Sequence, residues 1–237
     1  LYVFPINIDI KFVDIIDIDL PKPILAKALR FRKIVDQNNY LAARWILYAL
    51  TQKAGINVPF GDFKISANGK PFIPGFSSFN ISHCNGMVVV ALSDGDIGID
   101  VENISRSYQL DNFTQIFSSK EIAAIEKYGE NAFYYFWTLK EAVLKYTGEG
   151  MATLSILQQI NQKNDHLVTH HSKDFNFKSF MVLESYILNV VRSLDTIDNQ
   201  TFKTFKCTIS NKNALVFEEA DSLLFPFQFP HFSLNLP

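Results

Sequence analysis

Ile97-Gly98-Ile99-Asp100-Val101-Glu102 is the stretch on which the fold turns. In a strand, side chains alternate faces with period two. Ile97, Ile99 and Val101 then share one face and point to a core, while Gly98, Asp100 and Glu102 share the other. Two carboxylates therefore project from one side, beside a glycine that lets a ligand or a backbone approach. Upstream, Met87 to Ser93 has the composition of a strand, and Asp94-Gly95 separates the two runs. Asp-Gly in that place predicts a type I′ hairpin, with 96–102 as the returning strand.

Downstream, Ser118 with Glu121 three residues later predicts a helix start closed by a capping box. A second helix is predicted from about 131 to 146, and Gly148-Glu149-Gly150 reads as its C-cap turn. Phe133, Phe136, Trp137 and Leu144 supply a buried stripe for that helix. Glu141 and Lys145 share a face at i,i+4, while Lys140 lies about 100° away around the axis. On the other side of the central stretch, residues 2–18 alternate loosely as strand, and Pro21 and Pro23 break the chain. Apolar spacing over 24–50 predicts mostly helix, with Asp36 as a candidate cap of its long second segment. Residues 62–82 read as short strands and turns, and 151–237 as strands and loops. A soft boundary near residue 105 separates an N-terminal half, 1–105, from a C-terminal half, 106–237.

The composition bounds the possibilities. Of 237 residues, 48% are apolar and 19% charged, which excludes wholesale disorder. Lys plus Arg is 22 against 24 Asp plus Glu, a formal charge of −2. That balance argues against a general nucleic-acid binder but leaves room for a local basic pocket. Cys84 and Cys207 show neither a metal spacing nor a disulfide framework, so two reduced thiols in a cytoplasmic protein are expected. Asp9, Lys11, Asp14, Asp17 and Asp19 interrupt the apolar N-terminal stretch, which therefore reads as neither signal peptide nor membrane span.

Each candidate site has a plain alternative. Asp100 and Glu102 make a half-site for a hard divalent cation, or else a solvated polar strand face. Glu141 supplies a third carboxylate, with Lys140 and Lys145 for phosphate, or else forms an ordinary helix pair with Lys145. Ser82-His83 lacks a third residue to organise it as a nucleophile. His170-His171 reads as a pair of exposed loop histidines.

Order and spacing add what the single signals lack. The chain carries Gly69-Lys70-Pro71-Phe72-Ile73-Pro74, then Phe79-Asn80-Ile81-Ser82-His83, then Gly98-Ile99-Asp100-Val101-Glu102, then Trp137-Thr138-Leu139-Lys140-Glu141-Ala142-Val143-Leu144-Lys145. Over about residues 24–150 this resembles the Sfp-type 4′-phosphopantetheinyl transferases, with their GKP turn, FNISHS-like segment, GxDxE strand and WxxKEAxxK helix. The resemblance implies an α+β fold of two similar α/β halves under a pseudo-two-fold axis. Each half is a small antiparallel sheet packed on a long helix, and coenzyme A binds between the halves. It implies a monomer, while the charge balance and the interrupted N-terminal stretch point to neither a nucleic-acid nor a membrane partner. The resemblance also implies a reaction, in which a serine hydroxyl of an acyl or peptidyl carrier protein attacks the β-phosphate of coenzyme A. Phosphopantetheine moves to the serine and 3′,5′-ADP leaves.

On the resemblance, Asp100, Glu102 and Glu141 hold Mg²⁺ (or Mn²⁺) on the pyrophosphate. Lys140 and Lys145 stand on the phosphate side, Lys70, Ser82 and His83 grip the pyrophosphate and 3′-phosphate region, and Lys27 and Arg44 serve the nucleotide end. Glu141, Glu121 or a metal-bound water takes the serine proton, and the capping box accounts for Glu121 equally well. Gln37, Asn38 and Asn39 depart from the family, which often has basic residues there. Two other functions remain open, a non-catalytic coenzyme A-binding module and a metal-dependent phosphoesterase. Arg106, Phe113, Phe117 and Lys120 are candidates for a carrier-facing patch, and burial in the core is expected for the two phenylalanines.

Overall fold

The computed structural model describes residues 1–5, 11–16, 19–149, 161–163, 166–168, 174–193, 203–210 and 214–226. His170, His171 and Gly150 lie outside the described residues. The chain forms two compact units, residues 1–94 with 202–223, and residues 95–201 with 224–237. Both mix helices with sheets, so the fold is α+β.

In the first unit, β1 (Tyr2–Pro5), β4 (Ser78–Cys84), β5 (Met87–Ser93), β11 (Phe205–Ile209) and β12 (Leu215–Glu219) form one sheet in the order β12-β11-β1-β5-β4. All its pairs are antiparallel except one. Tyr2 and Val3 run parallel to Phe205 and Lys206, so this sheet is not the purely antiparallel one expected. A separate two-stranded ladder joins β2 (Lys64–Ile65) and β3 (Pro71–Phe72). Against the five-stranded sheet lies α3 (Ile34–Lys53), rich in the Leu and Ala that favour helix. Leu41, Trp45, Ile46 and Leu47 meet Phe4, Val88 and Val90 in the core.

The N-terminal segment departs from the strand reading. Phe12–Ile15 is a single helical turn, α1, whose Phe12 packs on Phe4 and Trp45. A second helix, α2, spans Lys22–Ala28. Asp36 is not the cap of α3. Lys33 stands at the cap position, and Asp36 lies in the first turn, where the helix dipole favours an acid.

The second unit joins β6 (Ile97–Asn103), β7 (Asn161–Lys163), β8 (His166–Val168), β9 (Asp174–Val182) and β10 (Tyr186–Ser193) in the order β6-β10-β9-β8-β7, with β13 (Leu224–Pro226) added to β9. Two helices accompany it, α4 (Ser119–Tyr128) and α5 (Glu130–Thr147). The capping box predicted at Ser118 and Glu121 is formed. Gly148, left-handed at φ 77°, ends α5 as the sequence indicates. Phe117 is buried, and Phe113 is half-buried with its ring 5.1 Å from that of Phe133 and 5.4 Å from that of Trp137.

The hairpin predicted across Asp94-Gly95 does not form. β5 pairs with β1 and β4, and β6 pairs with β10, so the two strands join different sheets. A type I′ turn needs positive φ at both central residues, and neither Asp94 nor Gly95 has one. The left-handed pair is instead Leu183 (φ 47°) and Glu184 (φ 59°), between β9 and β10, with Ser185 N donating to Val182 O at 3.3 Å. Tertiary pairing of long apolar strands overrode the local turn signal.

Candidate active site

The central strand approaches α5 more closely than a side chain allows. A Cβ placed on Gly98 would stand 2.1 Å from Ala142 O and 2.5 Å from Tyr146 N. The face carrying Gly98, Asp100 and Glu102 is thus turned onto the helix. Ile97, Ile99 and Val101 are buried on the opposite face, as the alternation predicts.

On α5 the helical period sorts the charged residues. Lys145 reaches across to Asp100, with Nζ 2.7 Å from Oδ1. Lys140, a third of a turn from Glu141, points instead to α4. Its ammonium lies 3.0 Å from Glu121 Oε1 at 0% side-chain exposure, and 5.9 Å from the Phe117 ring centroid. The other oxygen of Glu121, Oε2, accepts from Ser118 N at 2.7 Å. Glu121 and Lys140 therefore form a buried ion pair apart from the acidic group.

The acidic group is one electrostatic unit. Burial raises the pKa of Glu102 to about 7, Asp100 and Glu141 add to the rise, and Arg106 and Lys145 oppose it. Burial, then Asp100, likewise raises Glu141, while Lys145 lowers it. Among the described residues, no group of three or more His, Cys, Asp and Glu side chains is arranged to hold a metal ion. The expected cage is thus not preformed in this geometry, where Lys145 supplies the cation at Asp100. The chemistry of the donors nevertheless suits a hard cation. Three oxygen-bearing acids feel one another's charge in a part-buried place, and a divalent ion relieves that crowding.

The remaining candidates lie in the first unit. Arg44 stacks 3.6 Å from the Tyr40 ring centroid and donates through Nη1 to Tyr40 O at 3.0 Å. Burial lowers its pKa. The Lys27 ammonium is 5.3 Å from the same ring. Lys70 follows the turn at Gly69, and its backbone N–H donates to Ser66 Oγ at 3.1 Å. Ser82 is buried and His83 exposed, on alternate sides of β4.

Gln37, Asn38 and Asn39, which depart from the family's basic pattern, have structural work. Gln37 Nε2 donates to Ala28 O, Asn38 Oδ1 accepts from Phe12 N, and Asn39 Nδ2 donates to Cys84 O, at 3.0–3.1 Å. They tie the start of α3 to α2, α1 and the end of β4. Sequence reasoning passed over Asn189, which is wholly buried beside the acidic strand. Its signal was a lone amide in the apolar run Ile187-Leu188-Asn189-Val190-Val191, since a buried polar group needs a dedicated partner.

Comparison with known proteins agrees with the motifs. Residues 96–191 match the family model of the 4′-phosphopantetheinyl transferase superfamily. The chain is 33% identical over 141 residues to the 4′-phosphopantetheinyl transferase psf-1 of Bacillus pumilus, a match covering 54% of this chain and 57% of that protein. It is 34% identical over 102 residues to the transferase gsp of Aneurinibacillus migulanus, covering 40% and 43%. It is 32% identical over 96 residues to the transferase Sfp of Bacillus subtilis (strain 168), covering 38% and 42%. The chain spans about half the length of the curated relatives it matches. The family it resembles is thus the 4′-phosphopantetheinyl transferases, and within them the Sfp type.

Proposed function

We propose that the protein transfers the 4′-phosphopantetheine group of coenzyme A to a serine of an acyl or peptidyl carrier protein. The carrying observation is the acidic group itself. Where the GxDxE strand meets the WxxKEAxxK helix, Asp100, Glu102 and Glu141 share one field with Lys145 at 2.7 Å from Asp100. The serine oxygen bonds to the β-phosphorus, the bond from that phosphorus to the 3′,5′-ADP oxygen breaks, and the serine proton passes to a base. Both carboxylate oxygens of Glu121 are engaged, by Ser118 N and by Lys140. We therefore assign the proton to Glu141 and leave Glu121 and Lys140 to hold α4 on α5.

In this reading Asp100, Glu102 and Glu141 hold Mg²⁺ or Mn²⁺, which when bound supplies Lewis-acid neutralisation of the diphosphate. Lys145 leaves Asp100 to meet phosphate charge. Lys27, Arg44, Lys70, Ser82 and His83 serve the nucleotide and diphosphate of coenzyme A. A cytoplasmic monomer and a pseudo-two-fold kinship of the halves belong to the same proposal.

The test is labelling of carrier serines by fluorescent coenzyme A. The wild type is expected to label at least one of several acyl and peptidyl carriers, and Glu141→Gln to lose nearly all of it while keeping its fold. Tight coenzyme A binding by calorimetry with no transfer to any carrier would instead mark a binding module. Release of free phosphopantetheine without a carrier would mark a phosphoesterase.

A further inference from the structure

The acidic strand has a buried neighbour that the proposed chemistry does not use. Asn189 stands directly opposite Asp100 in the β6–β10 ladder, and Ser179 stands opposite Asn189 in the β10–β9 ladder. Residues directly opposite one another share a sheet face. Asp100, Asn189 and Ser179 therefore form one row across three strands, on the face that Gly98 turns onto α5.

Every polar atom of the Asn189 amide has a use. Nδ2 donates to Thr138 Oγ1 at 2.6 Å and to Tyr135 O at 3.1 Å, both on α5. Oδ1 accepts from Ser179 Oγ. Thr138 Oγ1 in turn donates to Tyr134 O at 2.7 Å, which fixes its rotamer. Thr138, Glu141 and Lys145 recur at i, i+3 and i+7, so they lie along one stripe of the helix. A hydrophobic contact tolerates sliding along the axis, whereas a saturated buried amide permits one register.

We propose that Asn189, acting through Thr138, is a positioning residue that sets the axial register of α5 over the acidic strand. It holds the helix one turn before Glu141, while Gly98 admits the backbone at Ala142 and Tyr146 just beyond it. A slip of the helix by one residue carries Glu141 and Lys145 about 100° around the axis and away from Asp100. This inference rests on the proposed metal-dependent transfer.

The test reads Mn²⁺ binding by electron paramagnetic resonance, without coenzyme A, alongside thermal unfolding. Asn189→Leu keeps the volume and removes the amide, and Thr138→Val keeps the shape and removes the hydroxyl. Either variant, cooperatively folded, is expected to bind Mn²⁺ about tenfold more weakly or worse, while Thr138→Ser stays within about twofold of the wild type. If Asn189→Leu does not fold, Thr138→Val and Thr138→Ser decide. Wild-type binding that is lost in Glu141→Gln yet kept in the folded Asn189→Leu or Thr138→Val protein would overturn the positioning role alone. A wild type that holds no Mn²⁺ would overturn both this inference and the metal reading.

Discussion

Lys140 and Lys145 are five residues apart on one helix and meet opposite fates. Lys145 keeps 30% of its side chain exposed and faces Asp100, whereas Lys140 is sealed with Glu121. Burial lowers the pKa of Lys140, and Glu121 restores part of it. Removing one partner strands the other charge, so Glu121→Gln or Lys140→Met is expected to cost about 3–5 kcal/mol in urea unfolding. The double variant should cost less than the sum of the two, which a double-mutant cycle measures. Cys207 offers a test in pH. Burial pushes its thiol up to about 12, so in strong base the unfolded chain ionises before the folded one. Stability is full below pH ~9, the ordinary thiol range, and falls as pH rises from there towards 12. Stability curves of the wild type should decline over that window more steeply than those of Cys207→Ala. Ellman's reagent at neutral pH should leave Cys207 unmodified until the protein unfolds.

At the scale of elements, the sequence was legible where local chemistry agreed with tertiary need. The capping box at Ser118, the end of α5 at Gly148 and the alternation of Ile97, Ile99 and Val101 were readable because each depends on neighbours in the chain. The partner of β6 was not, because strand pairing is decided by distant segments, and Tyr186–Ser193 carries no mark naming it. Spacing alone leaves Asp100 and Glu102 a polar strand face and Glu141 half of an ordinary helix pair, so the three acids are grouped only by the family resemblance. Their support was hidden, since Asn189 is a single amide whose partners lie 51 and 10 residues away. Two glycine variants separate these cases. Gly95 has open space around a Cβ and no positive φ. Gly95→Ala is therefore expected to be neutral or to stabilise by up to about 1 kcal/mol, by restricting the unfolded chain; a loss would restore the type I′ turn. Gly98→Ala forces backbone apart and should destabilise by about 1–3 kcal/mol or more. Chemical denaturation of both proteins gives the comparison.

For the whole molecule, the feature that matters is the route of the chain between its units. Residues 202–223 rejoin the first unit after the second has largely been traced, and β11 supplies the parallel neighbour of β1. Deleting 203–223 should leave β1 with an uncovered edge, and such edges invite association. The shortened protein is expected to aggregate during expression or on warming, which light scattering would reveal. Replacing the same segment by an unrelated linker of equal length should not rescue it. No composition shift announces this return, which is why a simple cut near residue 105 is all that linear reading offers.

That route bears on how the protein is made. A ribosome delivers the polypeptide from its first residue onward, and β1, α3, β4 and β5 emerge early. Their sheet is not complete until β11 and then β12, which ends at Glu219, have been synthesised. Throughout that interval the nascent first unit is an unfinished sheet, and chaperones that shield open strands are the helpers it most needs.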